Sequence, residues 1–168
     1  MYNDMEKSIF FPVNQEGRIP SIDSANAVAW HQAIQQDFSD NLLKDCKVTA
    51  SNTRSRRYSP KFVLDEKYEK YWATDDGVSQ AELVFEFPET TTINRLMLQE
   101  YIPLGQSVEA FYLDYYFNGK WQPIDVDEPL TTIGNKRIIR FQPVSMEQLR
   151  IRFKVSKGTL CISRVVGC

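Results

Sequence analysis

The sequence contains no apolar run close to the roughly 20 residues that a helix needs to span a bilayer, which argues against a helical membrane anchor. Its formal net charge of −2 provides no basic excess of the kind that nucleic-acid-binding domains carry. With a single histidine, His31, a metal site would need carboxylates and thiols, and we expect neither a metal nor a cofactor. The first residues lack the order of a signal peptide, so the signal of an exported protein would lie outside this sequence.

The three cysteines cannot all pair within the chain. In a sandwich whose termini meet, a bridge between Cys46 and Cys168 is geometrically plausible if the protein is exported. Three buried free thiols are the alternative interpretation, and the sequence leaves both open.

Residues 149–155, Leu-Arg-Ile-Arg-Phe-Lys-Val, alternate apolar and basic side chains without a fault. Because successive side chains of a strand point to opposite faces, this pattern predicts an antiparallel strand with one buried and one solvated face. The pair Asn118-Gly119 favours a type I′ hairpin turn between two further strands. Repeated strands separated by turns predict an all-β sandwich or barrel whose function lies in its loops. The predicted strands are residues 47–51, 81–87, 92–100, 108–117, 120–124, 138–141, 149–155 and 161–166.

The first 45 residues have a different pattern. Apolar residues at nearly helical spacing predict a helix over residues 23–43, and residues 9–13 predict a short extended segment before it. One helix and one strand cannot form a domain alone. We therefore interpret residues 1–45 as the tail of a preceding catalytic domain or a linker helix, and residues 46–168 as the β-sandwich.

Three segments in order resemble the opening of the discoidin domain, also called the coagulation factor V/VIII C-type domain. They are residues 48–51 (Val-Thr-Ala-Ser), 62–65 (Phe-Val-Leu-Asp) and 71–77 (Tyr-Trp-Ala-Thr-Asp-Asp-Gly). This resemblance implies a galactose-binding-like fold, a jelly-roll β-sandwich, here with a short helical appendage at its N-terminus.

Two further segments resemble the C-terminal domain of bacterial α-L-fucosidases of glycoside hydrolase family 29. They are residues 98–106 (Leu-Gln-Glu-Tyr-Ile-Pro-Leu-Gly-Gln) and 131–138 (Thr-Thr-Ile-Gly-Asn-Lys-Arg-Ile). Residues 17–20 (Gly-Arg-Ile-Pro) resemble the chain near the end of those enzymes' catalytic barrel. The resemblance implies the C-terminal fragment of such a hydrolase, located in the periplasm or outside the cell.

The same resemblance implies that this fragment is not itself an enzyme. Glycosidases need a pair of carboxyl groups about 5–10 Å apart around the sugar. In the family these groups belong to the barrel, which this sequence lacks. The acidic pair Asp75-Asp76 is better interpreted as part of a turn, because neighbouring loop side chains point apart and Thr-Asp-Asp-Gly favours a turn.

Sugar recognition needs an aromatic face against the C–H surface of a pyranose and polar groups that reach its hydroxyls. Three loops carry such groups, whereas Trp72 is better explained as a core residue. Glu100 and Gln106 also suit contacts that fix a loop. The candidate carbohydrate-binding residues are Arg54, Arg57, Tyr58, Asp75, Asp76, Glu100, Tyr101, Gln106 and Asn135.

Two functions follow from these candidates. The first is a non-catalytic carbohydrate-binding module that holds an α-L-fucosidase near galactose- or fucose-containing glycans. The second is a structural domain that buttresses the catalytic barrel without binding sugar. The expected partners are therefore glycans and the parent catalytic domain, with neither nucleic acid nor membrane among them.

Many discoidin domains hold calcium near a Leu-Asp-Gly-Asp segment, through six to eight oxygen ligands. Here residues 64–70 read Leu-Asp-Glu-Lys-Tyr-Glu-Lys, so that Lys67 replaces the second aspartate, and Arg164 falls where the family has a glutamate. We therefore expect no calcium. The hypothesis is that an ammonium or guanidinium group paired to Asp65 or Glu69 replaces the ion.

Overall fold

The computed structural model describes residues 21–67 and 69–168, so the predictions for residues 9–20 lie outside the described residues. The chain divides into two compact units between Asp40 and Asn41. In the first, helix α1 (Ser21–Asp37) ends before the predicted limit. Beyond it, the side chain of Asn41 accepts the backbone N–H of Leu43 at 3.0 Å. Such side-chain bonds compete with helical ones. Across residues 21–67 and 69–168, no helix combines the length and apolarity that crossing a membrane would require.

The second unit is an antiparallel β-sandwich with three short 3₁₀ helices in its loops, at Arg56–Tyr58, Pro60–Leu64 and Ile102–Leu104. The strands pair in the order β2-β7-β3-β6-β4-β5, and β1 pairs with β3. The strands described are β1 (Lys47–Ala50), β2 (Trp72–Ala73), β3 (Gln80–Glu100), β4 (Val108–Phe117), β5 (Lys120–Pro123), β6 (Arg137–Val155) and β7 (Cys161–Gly167).

Strands β3 and β6 each join two segments that the sequence predicts as separate strands. Their shared ladder is interrupted between Glu86 and Thr91 of β3. It is interrupted again at residues 140–144 of β6, where β6 has more residues than the facing part of β3. Pro88 and Pro143 lie in these interruptions, where a missing N–H costs no ladder bond. The first half of β3 pairs with β1 and its second half with β7, so one long strand serves both layers.

The core lies between the two layers, and its side chains come from the apolar face predicted by the alternating pattern. Trp72 is fully buried, which confirms its prediction as a core residue, and its indole Nε1–H donates to the carbonyl of Asn52 at 3.0 Å. Asn118 and Gly119 have φ of 51° and 81°, as a type I′ turn requires. The predicted jelly-roll sandwich is confirmed. Its largest fully buried side chains include Phe85, Phe111, Leu83, Leu96, Leu98 and Ile139.

The three cysteines are free thiols, so the structure favours the second of the two interpretations left open by the sequence. Cys46 is half-buried, whereas Cys161 and Cys168 are buried. Burial, followed by the nearby charge of Asp45, raises the pKa of the Cys46 thiol to about 12. Burial likewise raises the pKa of Cys161 to about 11. Both groups are therefore protonated at neutral pH and react poorly as nucleophiles.

Candidate functional site

A cleft of about 370 Å³ opens at one end of the sandwich. The connection from β1 to β2, the loop from β3 to β4 and the loop from β6 to β7 meet there. Loops at the end of a rigid sandwich are where binding residues usually lie. The cleft is lined by Arg54, Tyr58, Tyr71, Ala73, Leu104, Thr159 and Cys161.

The polar side of the cleft is a network around Arg54. Its Nε–H donates to the carbonyl of Thr74 at 3.2 Å, and its Nη2 forms an ion pair with the carboxylate of Asp76. The hydroxyl of Thr159 donates to the same carboxylate. This hydroxyl and the Arg54 guanidinium hold the pKa of Asp76 below its ordinary value. The cleft therefore presents a cation, Arg54, that is paired at neutral pH with an ionised carboxylate just outside the lining.

The aromatic side of the cleft is built on Tyr71. Its ring stacks on that of Tyr101, with centroids 4.2 Å apart and planes 13° apart, and Tyr58 lies 5.2 Å away at a tilt of 39°. Burial, with a smaller effect of Tyr58, raises the pKa of Tyr71, so its phenol stays protonated. Tyr101 lies outside the cleft lining and supports Tyr71 from behind. Stacking of this kind presents a preordered aromatic surface at the cleft.

The turn that carries Asp76 is tied to the end of β1 through its neighbour Asp75. The side-chain amide of Asn52 donates to the Asp75 carboxylate at 3.2 Å, and the backbone N–H of Asp75 donates back to the Asn52 side chain at 2.8 Å. Gly77 closes the turn with a φ of 79°. Asp75 thus positions the loop, while its neighbour Asp76 faces Arg54.

Glu100 does not lie in the cleft. Its side chain is 1% exposed. One carboxylate oxygen accepts the backbone N–H groups of Ser107 and Val108 at 3.0 and 3.1 Å, and the other accepts that of Gly134 at 2.8 Å. Because the side chain is buried and its carboxylate already accepts three backbone N–H groups, it does not face a ligand in solvent. The structure therefore assigns Glu100 to the alternative that the sequence left open, a contact that fixes its loop.

Three other sequence-predicted residues, Arg57, Gln106 and Asn135, are exposed but do not line the cleft. Conversely, the cleft includes Tyr71, which the candidate list omitted. The sequence carried one signal for it, an aromatic residue directly before Trp72, where β2 begins. Thr159 had no comparable signal, since a single threonine in a loop is uninformative.

In the segment that resembles the calcium loop, an ammonium group lies beside Asp65, which is the pairing that the hypothesis requires. Lys70 Nζ lies 3.6 Å from Asp65 Oδ2, and the backbone N–H of Lys67 donates to Asp65 Oδ1 at 2.9 Å. The backbone bond contributes most to lowering the pKa of Asp65, followed by the charge of Lys70. Cations where the family has carboxylates do not fit the oxygen shell of calcium. Within the described part of the chain, no three His, Cys, Asp or Glu residues cluster to hold a metal.

Residues 47–165 match the model of the F5/8 type C domain family. The chain belongs to that family. This confirms the resemblance of residues 48–51, 62–65 and 71–77 to the discoidin domain, and the matched range contains the cleft.

Relatives of known class match nearly the whole chain. Alpha-L-fucosidase 1 of Arabidopsis thaliana is 30% identical over 166 residues, which cover 94% of this chain and 32% of that protein. The crystal structure of a Bacteroides thetaiotaomicron protein assigned as an α-L-fucosidase has a TM-score of 0.77 and 35% identity, and the match covers 94% of this chain and 34% of the other. The chain therefore spans about a third of the length of these relatives.

A more distant structure shows the fold alone. The family 32 carbohydrate-binding module of C. perfringens NanJ, solved in complex with galactose, has a TM-score of 0.63 and 12% identity. The match covers 75% of this chain and 95% of the module. The sandwich described here thus has the same fold as that module.

Proposed function

We propose that the chain is a non-catalytic carbohydrate-binding module and an accessory domain of an α-L-fucosidase-like glycoside hydrolase. The family match and the two fucosidase relatives support the accessory role. Because the chain spans only about a third of those relatives, the activity of the parent enzyme is part of the proposal. Location of the parent in the periplasm or outside the cell, where glycans are met, belongs to it as well.

The observation that carries the proposal is the pairing of aromatic and polar groups in one cleft. Tyr71 and Tyr58 offer rings to the C–H face of a pyranose. Across the cleft, Arg54 can donate to a sugar hydroxyl, and its partner Asp76, just outside the lining, can accept from one. Within the described residues, the contacts of Arg54 use Nε and Nη2, so we expect Nη1 to bind the sugar. Leu104, 60% exposed, forms an apolar lip beside the rings.

A cleft that is open to solvent and lined by few groups should bind a single sugar weakly, with a Kd on the order of 1 mM. Such an affinity still suffices for an accessory domain. A module linked to a catalytic domain raises the effective concentration of glycan near the active site without any new contact there. The proposed role is therefore targeting, and the chemistry belongs to the parent's catalytic domain.

Calorimetric titration of the 168-residue chain with L-fucose, D-galactose and N-acetylglucosamine tests the proposal. We expect saturable binding of at least one sugar, and a loss of at least about tenfold in Arg54→Ala, since a hydrogen bond to a charged group is worth roughly 1.5–3 kcal/mol. Arg57→Ala is the matched control. It makes the same chemical change at an exposed arginine outside the cleft and should bind as the unmodified chain does.

Absence of binding by all three sugars at high millimolar concentration would refute the proposal and favour a domain that only buttresses the barrel. Equal losses in Arg54→Ala and Arg57→Ala would show that the sugar binds elsewhere. Release of nitrophenol from a nitrophenyl α-L-fucoside by the purified chain would contradict the non-catalytic assignment.

A further inference from the structure

A second recess, of about 450 Å³, lies on the outer face of the layer formed by β1, β3, β6 and β4. It shares no lining residue with the cleft between the loops. Neither the family match nor the proposed function assigns it a role. Its polar and exposed aromatic lining residues are Ser51, Gln80, Glu82, Tyr112, Arg152 and Lys154.

The strand register brings these side chains onto one surface. Glu82 of β3 is opposite Arg152 of β6, which in turn is opposite Tyr112 of β4. In the next row, Gln80 is opposite Lys154. Side chains directly opposite each other on neighbouring strands lie on the same face. The recess is therefore formed by paired residues of the sheet and not by the loops.

Tyr112 packs against an anchored arginine although its side chain is exposed. The Arg152 guanidinium carbon lies 5.1 Å from the centroid of its ring. Arg152 is itself anchored, because its Nε–H donates to Asp114 at 2.7 Å, and Arg150 binds the same carboxylate at 3.1 Å. Asp114 is 4% exposed, so the anchor lies within the fold. The ordering of the tyrosine thus costs little on binding a ligand.

In the described sandwich, the large apolar side chains that are exposed lie at the cleft and at the recess. Leu104 is 60% exposed at the cleft, and Tyr112 is 48% exposed here. An exposed aromatic ring beside anchored polar groups is the arrangement that a pyranose requires. Exposure alone would be ordinary, whereas exposure with a recess and a fixed polar row indicates a ligand.

The charges around the recess identify the kind of sugar. Two bases, Arg152 and Lys154, and one acid, Glu82, line the recess. Asp114 pairs with Arg152 and Glu109 pairs with Lys154, so the surface carries no uncompensated positive charge and offers both donors and acceptors. Hydroxyl groups both donate and accept, whereas a carboxylate or sulfate would call for a net positive surface.

We propose that this recess is a second binding site, for a neutral pyranose, separate from the cleft. The ring of Tyr112 stacks on the sugar, Arg152 and Lys154 donate to hydroxyls, and Glu82 accepts from them. Ser51 lies three residues before Arg54, and Lys154 lies five residues before Thr159, so both sites open at the same end of the sandwich. A glycan that reaches both sites binds more tightly than one that reaches a single site.

Titration of the ¹⁵N-labelled 168-residue chain with L-fucose, D-galactose and N-acetylglucosamine, followed by amide NMR shifts, tests the inference. We expect saturable shifts at residues 80–82, 110–112 and 152–154 with at least one of these sugars. Tyr112→Ala should abolish these shifts and leave those of the cleft intact, whereas Arg54→Ala should do the reverse. Tyr112→Phe, which keeps the ring, should retain them.

The two sites fail independently in this experiment. Cleft shifts without any recess shifts would overturn the inference and leave the proposed function standing. Recess shifts that survive Tyr112→Ala in a folded variant would also overturn it. Galacturonic acid is the charged comparator, and binding at the recess at least tenfold tighter than that of galactose, weakening with added salt, would contradict the neutral assignment.

Discussion

Replacing Glu100 by glutamine removes one buried charge and leaves the side chain almost the same size. The carboxylate accepts three backbone N–H groups, from Ser107, Val108 and Gly134. A glutamine amide has one accepting oxygen, so its NH₂ group must face at least one of these donors in either orientation. The variant therefore leaves a buried N–H unsatisfied and weakens the bonds that remain.

The loss in free energy of unfolding can be estimated from these contacts. The lost bond contributes about 2 kcal/mol, and the two bonds that lose their charge each weaken by about 1 kcal/mol, which together makes about 4 kcal/mol. For a body of this size, about 1 kcal/mol lowers Tm by roughly 3 °C, so we expect a fall of about 12 °C. No sugar is needed for this effect, because Glu100 acts on the loops themselves.

Thermal unfolding followed by circular dichroism measures the change. Glu109→Gln is the matched control, since Glu109 is half-exposed, lies 3.7 Å from Lys154 Nζ and should contribute less than about 0.5 kcal/mol. A Tm for Glu100→Gln within about 2 °C of the control would show that the contacts of Glu100 with the loop backbone do not stabilise the fold.

Three further outcomes follow from the side-chain environments. Without reductant, iodoacetamide should modify all three cysteines of the unfolded chain, and fewer than three modified cysteines by mass spectrometry would reveal a bridge. In the folded chain, Cys46 and Cys161 should react slowly because burial raises their pKa. The pKa of Asp76 is lowered, so its ion pair with Arg54 is present above the ordinary value of 3.8 and is lost as the pH falls through the lowered pKa. Sugar affinity should therefore stay constant from neutral pH to about pH 5. A change in affinity with pH within that window would contradict this. Millimolar calcium should leave Tm unchanged, and a rise of several degrees that a chelator reverses would show that the ion is bound after all.

The sandwich could be predicted because its faces follow a local rule. Alternation in residues 149–155 and 81–87 determines which side chains face the core, and tertiary contacts need not be known. The joining of strands was missed because it depends on nonlocal pairing. From the sequence alone, Pro88 and Pro143 look like the ends of strands. In the structure, pairing between β3 and β6 resumes after each interruption, so the strand continues past both prolines.

The site could be predicted only in part, for a similar reason. The sequence identified loops rich in arginine, tyrosine and aspartate, and the structure brings Arg54, Asp76 and Tyr58 to one end of the sandwich. Whether a loop carboxylate faces solvent or the fold depends on distant backbone groups. Glu100 meets the N–H of Gly134, 34 residues away, which no local pattern reveals.

A crystal structure of the chain soaked with the sugar that binds most strongly in calorimetry shows directly whether the cleft is the binding site. We predict a pyranose in the cleft, with its C–H face on Tyr71 or Tyr58 and a hydroxyl within hydrogen-bond distance of Arg54. A sugar bound with full occupancy only elsewhere on the chain, or an empty cleft at a saturating concentration of that sugar, would contradict it.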